Sequence, residues 1–173
     1  MEFIIKESQK IQGVYIITPT ISQDRRGDIW TSFLKERIEN LLPHNLHFKH
    51  DKFSQSHHNV LRGIHGDNKS WKYVTCVYGS IFQVVVDCRK DSPTYLQWEG
   101  FEIHKEKQKM ILLPPNMGNA YYVRSQNAVY HYKLAYEGEY FDAPHQFTYA
   151  WNDKVIGIEW NCKKPILSDR DYY

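Results

Sequence analysis

An all-β barrel or sandwich is the fold class this sequence predicts, and three observations predict it. Apolar residues recur mostly with period two, the signature of half-buried strands. The runs that carry this alternation are short and rich in β-branched and aromatic residues, which fit a pleated surface. Turn signals separate them at intervals of roughly 8–12 residues. The expected strands are Val14–Thr18, Tyr73–Tyr78, Ile81–Asp87, Gly100–Ile103, Lys109–Leu113, Tyr121–Arg124 and Val129–Tyr136. Between them stand the turn formers Tyr78-Gly79-Ser80, Asp91-Ser92-Pro93, Pro114-Pro115-Asn116 and Ser125-Gln126-Asn127.

One segment departs from this pattern. In SFLKERIENLLP, Phe33, Leu34, Ile38, Leu41 and Leu42 recur at spacings of three and four, and Pro43 follows. That spacing predicts a single short helix stopped by the proline. A second, weaker helical or irregular stretch is expected near Lys154–Gly157. No linker, repeat or low-complexity tract interrupts the chain, so a single domain over residues 1–173 is expected.

Composition narrows the function classes. With 173 residues the chain is long enough for one sizeable core. Its net charge is +2, and no Lys/Arg block marks a nucleic-acid or membrane surface. No apolar run approaches the roughly 18 residues that a membrane span needs. The stretch MEFIIKESQK carries charge at its second residue and lacks a long apolar centre, so it does not read as a signal peptide. Cys76, Cys88 and Cys162 are odd in number and lack CxxC spacing, which suits small buried thiols in a reducing compartment. A cytoplasmic protein is therefore expected. Aromatic residues at 15% suit β-structure and sugar-binding surfaces equally.

The stretch NVLRGIHGDNKSWK, residues 59–72, is over-polar for a buried strand. Strict alternation puts Arg62 and His65 on opposite faces, but a bulge at Gly63 would bring both onto one. A cation beside a histidine base makes chemical sense where an oxyanion develops. The bland reading, exposed cations beside a satisfied histidine, stands next to it. In Val129–Lys133, alternation places Tyr130 and Tyr132 together, either as core residues or as a phenolic acid facing a base. The charged cluster Ser168-Asp169-Arg170-Asp171 is a solvated end by default. It gains interest if the chain folds back and sets a carboxylate on a histidine. Asp67 has no assigned task. A metal is not expected: His57-His58 are adjacent and point to opposite faces of a strand, and His104, His131 and His145 are isolated.

Taken together, several segments resemble one family in order along nearly the whole chain: DRRGDIWTSF at 24–33, NVLRGIH at 59–65, WKYVTCVYGSIFQVVVDCRKDSPTYLQW at 71–98, LLPPNMGNAY at 112–121, VYHYK at 129–133, WNDKVIGIEW at 151–160 and ILSDRD at 166–171. They resemble the dTDP-4-dehydrorhamnose 3,5-epimerases, cupin-fold enzymes of nucleotide-sugar biosynthesis, and look closest to a branch acting on GDP-linked 4-keto-heptoses for capsular heptose synthesis. The resemblance implies a cupin-type jelly roll, a homodimer, and no metal or cofactor. It implies His65 as base with Asp171 as its partner, and Tyr132 as the acid on the opposite face of the sugar. Lys72 and Arg62 fall near the 4-keto oxygen. Arg26 falls at a diphosphate contact, often across the subunit interface. The family's PxGFAHGF segment has Asn119 here in place of its histidine, and Thr31, His50 and Lys52 replace its usual Glu, Gln and Asn near the nucleotide. These departures imply a substrate other than a thymidine nucleotide, and inversion at C3. Epimerisation at both C3 and C5, and the thymidine-linked 4-keto-6-deoxyglucose, are the alternatives. Other classes that fit a cupin are a non-catalytic sugar binder, an iron oxygenase and a 3,4-ketoisomerase.

Overall fold

The alternating segments stack as two facing sheets. A computed structural model describes residues 2–172. In chain order the elements are β1 (Phe3–Glu7), β2 (Tyr15–Pro19), β3 (Ser22–Asp24), β4 (Gly27–Ile29), α1 (Lys35–Ile38), β5 (Phe48–His57) and β6 (Leu61–Gly66). After them come β7 (Trp71–Tyr78), β8 (Ile81–Asp87), β9 (Trp98–Ile103), β10 (Met110–Leu113), β11 (Met117–Val123), β12 (Asn127–Ala135) and β13 (Phe147–Thr148). One sheet has the order β1-β2-β10-β7-β12-β5, the other β13-β6-β11-β8-β9, and β3 and β4 form a separate hairpin. The all-β sandwich expected from the sequence is the fold observed.

Between the sheets, Val74, Ile111, Leu113 and Tyr130 of the first pack against Val85, Phe101, Met117 and Tyr121 of the second. The outer faces are covered too. Ile38 and Leu42 pack on Ile17, Tyr73, Met110 and Leu112 of the six-stranded sheet. Ile156 and Trp160 pack on Leu61, Ile64, Val84 and Val86 of the five-stranded one. Two-sided burial explains why β8 reads Val84-Val85-Val86 and β10 reads MILL without alternation. A strand covered on both faces needs apolar side chains in both directions.

The expected helix contracts to α1 and a 3-10 turn at Glu39–Leu41. Leu34 at its start supplies no side-chain cap, and so short a helix is held by the burial of Ile38, not by its own propensity. Near Lys154–Gly157 there is a turn and no helix, because Asp153 Oδ1 accepts from the Val155 and Ile156 amides. Strands β1, β3, β4, β5 and β13 were not anticipated from the sequence. In β5 the more buried positions include His50, Lys52, Ser54 and Ser56, which are polar. Apolar alternation therefore gives no signal there.

Candidate active site

At one end of the sandwich the two sheets enclose a cavity of about 230 Å³ instead of core. Its five-stranded wall is built on β6. Opposite β11, His65 pairs with Asn119 and Arg62 with Tyr121, so Gly63 and Ile64 together face Ala120 alone. This is a bulge, and it does what the sequence required: Ile64 turns outward into the cluster with Trp160, while Arg62 and His65 both line the cavity. Only glycine fits at 63. Its φ is +117°, and a Cβ would stand 2.5 Å from both the Ala120 Cβ and the Asn119 carbonyl oxygen.

The segment after Lys164 folds back along β6. Ile166 forms a parallel bridge with Val60, its carbonyl accepts from Leu61 at 3.0 Å, and its amide donates to Asn59 at 2.8 Å. That pairing delivers a 3-10 turn whose Asp171 Oδ1 lies 2.7 Å from His65 Nε2. The approach is close but not linear, since Oδ1 has no aligned donor. Oδ2 accepts from the Ser168 hydroxyl at 2.7 Å. Burial works against ionisation of Asp171, but His65 and Ser168 outweigh it and hold the carboxyl below the usual carboxylate value. The other ring nitrogen, Nδ1, sits 3.0 Å from Thr148 Oγ1 of β13.

The facing wall comes from β5, β7 and β12. Tyr132 is half-buried, and burial raises its phenol pKa; the Lys52 ammonium, 5.8 Å from the ring centre, pulls the other way without reversing the shift. Lys52 lies 3.4 Å from the Tyr140 hydroxyl. Burial lowers its ammonium pKa, but Tyr132, Tyr140 and Asp142 reverse this and leave it raised. Lys72, at the start of β7, is almost fully enclosed and also lines the cavity. On the floor, Asn119 is fixed by two neighbours. Its Oδ1 accepts from Gln83 at 2.6 Å and its Nδ2 donates to the Tyr130 hydroxyl at 3.1 Å. Arg62 donates through Nε to Ser56 Oγ at 3.0 Å. A larger cleft of about 750 Å³, lined in part by Trp30, Tyr78 and Gln108, holds none of these groups.

Comparison with known proteins decides the lineage. Residues 8–173 match the family model described as dTDP-4-dehydrorhamnose 3,5-epimerase. The chain is 34% identical, over 99% of its length and 93% of the relative's, to the dTDP-4-dehydrorhamnose 3,5-epimerase of Salmonella typhimurium. It is 33% identical, over 93% of its length and 78% of the relative's, to a dTDP-4-dehydrorhamnose 3-epimerase of Streptomyces niveus. Among solved structures it resembles the dTDP-6-deoxy-D-glucose-3,5-epimerase of Legionella pneumophila in complex with dTDP-4-keto-L-rhamnose. There the TM-score is 0.87 and the identity 32%, covering 98% of this chain and 90% of that one.

The chain belongs to the dTDP-4-dehydrorhamnose 3,5-epimerase family. It is a nucleotide-sugar epimerase, an isomerase on the cupin scaffold.

Of the residues the sequence nominated, this epimerase gathers His65, Asp171, Tyr132, Lys72, Arg62, Asn119 and Lys52 around one cavity. His50 is at one remove, in contact with Tyr136 through Nδ1 at 3.1 Å and edge-on to Tyr140. Arg26 and Thr31 do not line the cavity of their own chain. Arg26 sits in the β3–β4 hairpin, 84% exposed and paired with Asp24 at 2.5 Å. Tyr140, Asp142, Gln146 and Arg170 line the cavity and were missed. Three of them lie in the loop after β12, whose turn-like composition carries no periodic signal; Arg170 neighbours a nominated aspartate, and its Nη2 reaches Gln146 Oε1 at 2.9 Å. Cys76 is buried and Cys88 and Cys162 partly so, and all three are free thiols. Among the described residues no three His, Cys, Asp or Glu side chains converge as metal ligands, and no helix is long and apolar enough to cross a membrane.

Proposed function

We propose that this epimerase inverts a dTDP-linked 4-keto-6-deoxyhexose at C3 and C5 by proton removal and return through an enolate. One observation carries the reading: the buried His65–Asp171 contact opens onto a cavity whose opposite wall presents Tyr132. The 4-keto group acidifies the C–H bonds on either side of it. His65 takes a proton, with Asp171 orienting the ring and opposing the positive charge it gains. Lys72 and Arg62 stabilise the enolate oxygen. Tyr132, a phenol whose pKa burial raises further, returns a proton on the other face. No cofactor enters this chemistry.

A volume of about 230 Å³ is below the range of roughly 300–1,000 Å³ for whole small-molecule sites. It suits the sugar alone and leaves the nucleotide at the rim, where His50 and Lys52 stand. Arg26 would serve the diphosphate only from a partner subunit, so the working unit is a homodimer of single cupin domains, each spanning 1–173, in the cytoplasm. The relatives' names favour the thymidine nucleotide over the GDP-linked heptose expected from the sequence. The second reading keeps that heptose, with inversion at C3 alone for capsular heptose synthesis. Asn119, Thr31, His50 and Lys52 favour it, and a relative at 33% identity is named a 3-epimerase.

Incubation in D₂O with dTDP-4-keto-6-deoxyglucose, and separately with a GDP-4-keto-heptose, tests both. Deuterium at C3 and C5 of the first supports the main reading, whereas exchange at C3 of the heptose alone supports the second. Failure to exchange at either carbon of any 4-keto nucleotide sugar overturns both.

A further inference from the structure

The one acidic side chain of the 59–72 stretch, Asp67, has no place in the chemistry above, yet the fold encloses it completely. Its Oδ1 accepts from the amides of Lys69 at 3.0 Å and Ser70 at 2.6 Å, which shapes the turn between β6 and β7. Its Oδ2 has no hydrogen-bond partner. The cation that faces this oxygen is the Lys72 ammonium at 3.6 Å. An enclosed carboxylate oxygen without a donor is costly unless a charge answers it.

Lys72 has the complementary difficulty. Its directly paired cross-strand neighbours are Leu113 on β10 and Leu134 on β12, and neither side chain offers the ammonium a partner. Burial pushes the ammonium pKa down, Asp67 pulls it back up, and Arg170 from the 165–171 segment pushes it down again. Cys88 also faces it, as a thiol whose own pKa burial raises to about 12. An enolate is stabilised by the ammonium and not by the neutral amine.

We propose that Asp67 is a positioning residue that acts through Lys72, keeping its head group charged and held at the cavity wall. The inference rests on the proposed role of Lys72 in enolate stabilisation. The geometry divides the carboxylate's work: one oxygen builds the turn, and the other faces the cation that the turn carries to the start of β7.

Asp67→Asn separates the two tasks, because its amide oxygen still accepts from the turn while the charge is gone. Asp67→Ser, which also leaves an acceptor for the turn, serves if the asparagine variant does not fold. The first measurement needs no substrate: NMR titration of the Lys72 side chain in the wild type and in the neutral variant. The Lys72 midpoint falls by about 1–3 pH units on loss of the carboxylate. The second is turnover of the 4-keto nucleotide sugar against pH. Loss of the ammonium removes enolate stabilisation, so the alkaline limb of turnover is expected to move to lower pH together with the Lys72 midpoint. Lys72→Met reduces turnover by about 10²–10³, and adding Asp67→Asn to it costs little more.

An unchanged Lys72 midpoint overturns the proposal, as does full additivity of the two substitutions. A shifted midpoint with normal turnover in Lys72→Met leaves the pair standing and removes the enolate role instead.

Discussion

The His65 wall and the Tyr132 wall of the cavity respond to the same low-dielectric surroundings in opposite ways. Burial pushes the pKa of both Asp171 and Tyr132 upward. On the β6 side, His65 and Ser168 reverse that push, and the carboxyl stays ionised beside the ring it supports. On the β12 side, Lys52 only moderates it, and the phenol keeps its proton. One wall therefore holds a charge ready and the other a proton, although neither is unusual in composition. Local donors, not depth, decide in which direction each group departs from its ordinary value.

That contrast is broken most directly at its two ends. His65→Asn and Tyr132→Phe are each expected to lower turnover by about 10²–10⁴-fold with the circular dichroism spectrum unchanged. They should differ in D₂O. The histidine variant stops incorporating deuterium, whereas the phenylalanine variant still exchanges on the base side while product formation falls. Wild-type turnover in Tyr132→Phe would mean that the phenolic wall is only structural.

A second substitution tests what places the base wall. Gly63→Ala forces a Cβ into the Ala120 and Asn119 backbone and into a left-handed conformation. A loss of about 1–3 kcal/mol in urea unfolding is expected, with activity falling further than stability as His65 is displaced. An unchanged unfolding midpoint would show that the bulge relaxes freely.

The smallest effect sharpens the contrast in the folded state itself. The Asp171 carboxyl is held below its ordinary value of 3.8 in the native protein. Its contribution to stability is therefore present above that pH and disappears as pH falls through the lower native value. Asp171→Asn should lose on the order of 1 kcal/mol at neutral pH, and its acid-unfolding curve should be flatter than the wild type's. Parallel curves would mean that the carboxyl is not stabilised in its ionised form.

How much of this was legible in the sequence varies by region, and the reasons are physical. Strands β7, β8, β10 and β12 announce themselves because they bury apolar side chains. β5 does not, because Lys52 and Ser54, which it turns inward, meet a cavity and not a core. The convergence of Arg62 and His65 depended on reading Gly63 as a bulge, and the structure has one there. The proximity of Asp171 to His65 came from resemblance, since no local pattern predicts that a segment over 100 positions away will pair with β6. Tyr140 and Asp142 had neither periodicity nor resemblance to mark them. Arg26 and Thr31 were nominated by resemblance, yet a single chain does not carry them to its own cavity.

Gly63 also sets the phase of β6. Leu61 and Arg62 follow one in–out phase, and Ile64 and His65 follow the other, with the switch at a single extra residue. The spacing between arginine and histidine is thus as informative as their identities. A relative that kept both residues and the two positions between them, but ran this strand without the bulge, would look nearly unchanged in a residue-by-residue comparison. In space its histidine would point outward to Ile156 and Trp160, and its cavity would have no base.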